Sequence, residues 1–222
     1  MDMTMSSAVP DWLTPVAWTY LTVSLLSAAV IAFDIYARGR RHDAVTPELV
    51  WITSALYLGP FGVAAYLRRG RVDHSSRSPL VALLSGGGAS AVAHLVAVPL
   101  VAAVGWTIAG MAMWPMILVI AVLAIAMVAV FVRVAGRSGQ SVGTRGVSVG
   151  AALVAALVTV AAFDVGMVGW MLLLDANNAM PAVTDGAFWF LMQIGVVVGL
   201  ATGYPAVRWL TTRDRDASAV AA

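Results

Sequence analysis

The sequence predicts an all-α, polytopic transmembrane bundle, and three observations carry that prediction. The first is composition: 61% of the 222 residues are hydrophobic and 11% charged, against about 25% charged in soluble domains. With a mean hydropathy of +0.90, such a chain cannot cover its surface with polar groups, and part of its solvent must be lipid. The second is length: six apolar runs approach or exceed the ~20 residues needed to cross a ~30 Å hydrocarbon core at ~1.5 Å per residue. The third is the lack of any dyad alternation, which leaves helices as the spanning element, because an open strand edge cannot sit in lipid.

The runs give one transmembrane domain over 1–222. The first, about Trp12 to Phe33, ends at Asp34. The residues before it carry Asp2 and Asp11 and no Arg, unlike the positive n-region of a signal peptide, so this run is expected to stay as a span. The second, about Glu48 to Leu67, ends at Arg68 and Arg69 and is interrupted by Gly59-Pro60. The third covers about Pro79 to Val104. The fourth, about Met113 to Val132, ends at Arg133. The fifth and sixth cover about Val147 to Leu174 and Ala187 to Leu210.

Arginine positions set the orientation. With six spans and both termini inside, Arg68, Arg69, Arg71, Arg77, Arg133, Arg137, Arg145, Arg208, Arg213 and Arg215 are cytoplasmic, and only Arg38, Arg40 and Arg41 lie outside. The alternative removes that misfit. A re-entrant hairpin broken at Gly59-Pro60 leaves five spans, puts every Arg inside and puts the N-terminus outside. Pro in mid-span is tolerated when neighbours re-satisfy the backbone, which favours six spans. Both arrangements place the C-terminus in the cytoplasm.

Composition also excludes chemistry. There is no cysteine, hence no disulfide, thiolate metal site or cysteine nucleophile. All thirteen cations are Arg, so Schiff-base chemistry and a Walker A lysine are absent. No Gly-x-Ser-x-Gly or His-Glu-x-x-His pattern occurs, which weighs against an enzyme. The arginines fall in separate loops and not along one stripe, which argues against nucleic acid.

Two ionisable residues fall deep inside runs, His94 and Asp164, and intramembrane ionisable groups are functional hypotheses by default. His94 is 15 residues into the third run and Asp164 is 17 into the fifth. Both runs point the same way, so the two share a depth. They are candidates for a polar centre that accepts a proton or ligates a cation, with Gln193 as a third member. The plainer alternative is hydrogen bonding between helices that only fixes packing. Met111, Met113 and Met116, with Met1, Met3 and Met5, raise the soft-ligand chemistry of Cu(I), against methionine as flexible filler. Haem lacks a second His in a span. No metal and no cofactor is expected.

Gly195, Gly199 and Gly203 repeat every four residues and form a smooth stripe where another backbone can approach. Gly86, Gly87 and Gly88 read likewise as close packing or a kink. Spacing alone leaves open whether the partner helix belongs to this chain or to another.

Trp51 to Tyr66 (WITSALYLGPFGVAAY), Thr107 to Gly110 (TIAG), Phe163 to Met171 (FDVGMVGWM) and Phe188 to Pro205 (FWFLMQIGVVVGLATGYP) resemble, in that order, the bacterial membrane family catalogued as domain of unknown function 4396. The resemblance implies a multi-span fold and no established activity. The family's third span carries His-Cys-Gly-Ala-Gly-Cys followed by Gly-Asp. An ungapped match places these on Ser85 to Ser90 (SGGGAS) and on Ala93-His94, so the thiols are missing here. Asp164 matches the family's acidic residue in the fifth span.

The expected function is therefore binding or conduction of a small solute or ion through the polar centre, in a bacterial cytoplasmic membrane. The alternative is a non-catalytic subunit, homo-oligomeric or bound to a membrane partner, that docks through the glycine stripe.

Overall fold

The computed structural model describes residues 9–42, 45–71, 79–110, 113–137 and 149–220, and among them every regular element is helical. The long helices are α1 (Leu13–Tyr36), α4 (Pro79–Val104), α5 (Met113–Arg137), α6 (Val149–Ala176) and α7 (Gly186–Val220). Each contains a stretch long and apolar enough to cross a membrane. Their outer faces are apolar: Val122 on α5 is 65% exposed and Val165 on α6 is 71% exposed. Water would not leave such surfaces open, whereas lipid does. The chain is a multi-pass membrane protein with an all-α fold.

The second apolar run is not one helix. It divides into α2 (Val45–Leu58) and α3 (Pro60–Ala65), and α3 continues into a wider, π-type turn at Tyr66–Gly70. The break has a local cause. Pro60 has no N–H to continue the α2 ladder, and Gly59 sits at φ 54°, ψ −130°, which L side chains rarely adopt. The chain then doubles back. A Cβ on Gly62 would lie 2.9 Å from the Ala55 Cα, and one on Gly70 would lie 2.8 Å from the Trp51 ring. His42 Nε2 donates to the Gly70 carbonyl at 2.9 Å, so the ends of the run meet.

This is the hairpin geometry of the five-span alternative. Asp34 and Arg71 would be on opposite sides of a ~30 Å core if the run crossed it, yet they are 2.8 Å apart. In the structure Arg38, Arg40 and Arg71 gather around Asp34.

The hairpin wedges between α1 and α4, while α7 touches α1, α2, α4 and α6. The broadest packing is between α6 and α7. At one end of the bundle, Thr14 Oγ1 donates to Asp185 at 3.3 Å, which joins the start of α1 to the α6–α7 loop. At the other end α1 meets the base of the hairpin. Following the helices from there, α5 brings Arg133 and Arg137 to that same end, and α7 brings Arg208, Arg213 and Arg215. Arg77 and Arg145 lie outside the described residues.

Candidate functional site

Two polar regions emerge, one at the base of the hairpin and one at the depth of its tip. Asp34, in the last turn of α1, is 3% exposed. Arg71 reaches it from the end of the return limb, with Nη2 donating to Oδ1 at 2.8 Å and Nε to Oδ2 at 3.0 Å. This fork-on-carboxylate pairing suits the planar guanidinium. The Tyr66 hydroxyl donates to Oδ2 at 3.0 Å. Arg38 and Arg40 stand farther off, at 3.4 and 3.8 Å.

Glu48, in the first turn of α2, is fully buried. Its Oε1 accepts from Arg41 Nε at 2.7 Å and from the His42 backbone N–H at 3.0 Å. Hydrogen bonding to the two carboxylates raises Arg71 and Arg41 above the ordinary guanidinium value. Gly70 completes this base, because a Cβ there would run into the Tyr66 and Trp51 rings.

Along the hairpin, Tyr57 OH donates to the Leu84 carbonyl at 3.2 Å, and the α4 glycines make room for α2. A Cβ on Gly87 would come within 2.7 Å of that hydroxyl, and one on Gly88 would collide with Thr53 Oγ1. The run Ser85 to Ser90 is thus a seat for the hairpin. At the tip, Tyr20 OH donates to the Tyr57 carbonyl at 3.0 Å. Ser24 Oγ is buried, facing Gly59 beside the Tyr20 hydroxyl.

Counted at ~1.5 Å per residue from the arginine-bearing end, Ser24, Gly59 and His94 are roughly 18–23 Å deep. Asp164 and Gln193 are not level with each other: Phe163 meets Gly199 and Gly166 meets Thr202, and Gln193 is roughly 9 Å farther along α7. His94 is buried, and its Nδ1 donates to the Ser90 carbonyl one turn back at 2.8 Å. Asp164 is partly buried, on the face of α6 that also carries the buried Val160, Met167 and Met171. No hydrogen-bond or ion-pair partner meets it among the described residues. Gln193 Oε1 is buried without a partner. The three do not form one cluster: α4 and α6 barely touch, and Gln193 is more than a turn of α7 away from the level of Asp164.

The glycine stripe has an occupant within the chain. A Cβ on Gly195 would meet Met167 Sδ at 2.6 Å, and one on Gly199 would meet the Phe163 ring at 2.7 Å, while Gly203 has 3.8 Å to spare. At Gly195 and Gly199 the close helix contact is made within the chain, by α6. Met167 fills that contact, and Met171 and Met116 are buried in the core. Met1, Met3, Met5 and Met111 lie outside the described residues. Among the described residues no group of three or more His, Cys, Asp or Glu could hold a metal ion.

Asp34 and Glu48 are the polar residues that sequence reasoning passed over. Both stood at the limits of apolar runs, where a carboxylate reads as a solvated boundary. The available signal was the break at Gly59-Pro60, since a hairpin returns Arg71 to the level of Asp34.

Fold and site together define a multi-pass α-helical membrane protein with a buried ion-paired hairpin. Residues 77–215 match the family described as Domain of unknown function (DUF4396), and the chain belongs to that family. The match takes in α4 to α7 and leaves α1 and the hairpin before it. No curated protein and no solved structure matches the chain.

Proposed function

We propose that this protein binds and conducts a small cation or proton through the mid-membrane polar layer, with Asp164 as the acceptor. The orientation that goes with this reading is five spans in a bacterial cytoplasmic membrane, the arginine-bearing end and the C-terminus in the cytoplasm and the N-terminus outside. The bias of Arg to one end supports it.

The observation that carries the reading is Asp164 itself, a carboxylate well inside a span, partly buried and with no hydrogen-bond or ion-pair partner among the described residues. In hydrocarbon each unsatisfied polar group costs several kcal/mol. Groups kept at that expense in a span mark ion or substrate paths. The hairpin supports the same reading, because irregular backbone at membrane depth is tolerated where it is buried in protein or lines a polar cavity.

The test is flux into liposomes carrying the purified protein and an internal pH dye, under an imposed proton or sodium gradient. Flux above empty liposomes, lost in Asp164→Asn while the variant keeps its elution volume and helicity, is the expected result. Wild-type liposomes no leakier than empty ones, or flux indifferent to Asp164→Asn, would overturn it.

A further inference from the structure

We infer that the furrow between α1 and the return limb of the hairpin is a binding site for one anionic phospholipid. This inference is independent of the polar layer and uses different residues.

The furrow has two segments of about 540 Å³ each. The first, near the arginine-bearing end, is apolar along Leu26, Val30 and Val63 and ends in Arg38, Arg71 and Asp34. The second follows on along the same two elements, with Val23 and Phe61 in its wall, and is almost wholly apolar. From Arg71 back to Phe61 the return limb runs roughly 15 Å, half of a ~30 Å hydrocarbon core. That is a charged mouth followed by an apolar channel one leaflet deep.

Charge selects the headgroup. Arg38, Arg40 and Arg71 surround the single carboxylate of Asp34, an excess of two positive charges. Of these arginines, only Arg71 makes short bonds to Asp34. Arg38 and Arg40 hold only long contacts and remain 59% and 46% exposed. Their guanidinium donors can turn to a phosphate, which they match as a planar fork. Basic pockets between helices at a cytoplasmic face have this character. Asp34 repels a phosphate placed on Arg71, so the headgroup sits on the Arg38–Arg40 side. The walls are open to the bilayer: Leu26 is 61% and Phe33 59% exposed.

The test is native mass spectrometry of the full chain in detergent, titrated with equal amounts of phosphatidylglycerol and phosphatidylcholine, with inorganic phosphate as a third arm. One phosphatidylglycerol retained with at least about five-fold preference is expected. That preference should fall below about two-fold in Arg38→Gln/Arg40→Gln and persist in Arg133→Gln, which removes a charge from another helix at the same end. Leu26→Trp, which narrows the channel without touching charge, should lower phosphatidylglycerol retention. Equal retention of the two lipids by the wild type overturns the inference, and this arm needs no variant to fold. Displacement of the lipid by millimolar phosphate would show an anion site without the acyl channel and would overturn it too, as would a preference unmoved by the double variant.

Discussion

Replacing Asp34 with alanine removes the acceptor of three short hydrogen bonds, two from Arg71 and one from Tyr66. The Tyr66 side chain is buried, and stranding its hydroxyl costs about 1–3 kcal/mol. Breaking a buried ion pair costs about 3–5 kcal/mol. Arg71 is 30% exposed and can turn to water, so the lower part of that range applies, discounted further for screening. Asp34→Ala should therefore destabilise the fold by about 3 kcal/mol. The assay is reversible unfolding in mixed micelles, with Arg71→Gln and the double variant completing a thermodynamic cycle. The pair touches, so the cycle should show a coupling of about 1–3 kcal/mol. A loss under about 0.5 kcal/mol, or strict additivity, would refute the argument that Asp34 locks the return limb to α1.

Other substitutions probe the packing by the same unfolding assay. Gly199→Ala should destabilise by about 1–3 kcal/mol through overpacking on the Phe163 ring, whereas Gly203→Ala, with 3.8 Å of room, should stay within about 0.5 kcal/mol. Equal effects at the two sites would contradict the α6–α7 contact. Gly59→Ala should lose about 1–3 kcal/mol, because φ 54°, ψ −130° strains any L residue. A neutral outcome there would mean that the tip has another backbone conformation.

The long helices were legible because each apolar run has the length of a bilayer and ends at charge, as the fourth does at Arg133. The hairpin was legible only as an alternative. Residues 45–70 contain enough apolar length for one crossing, and Gly59-Pro60 suits a kink as well as a reversal. What folds the run back is tertiary: the Asp34–Arg71 clamp and the room that Gly62 and Gly70 give to α2. The depth shared by His94 and Asp164 could be counted from the sequence. Their lateral separation could not, because the order and rotation of helices in a bundle are not written in run lengths. The stripe Gly195, Gly199, Gly203 announced a close contact, but Phe163 and Met167 carry no mark that names them as its other side.

The account rests on the second apolar run doubling back, so that Ala37 and Arg68 are on one side of the membrane and Asn177 is on the other. The chain has no cysteine, and all three positions are exposed. Ala37→Cys, Arg68→Cys and Asn177→Cys can therefore each be labelled in intact spheroplasts with a membrane-impermeant maleimide. The account predicts that Asn177→Cys is labelled from outside, while Ala37→Cys and Arg68→Cys are labelled only after lysis. Labelling of Ala37→Cys and Arg68→Cys from opposite sides would contradict it.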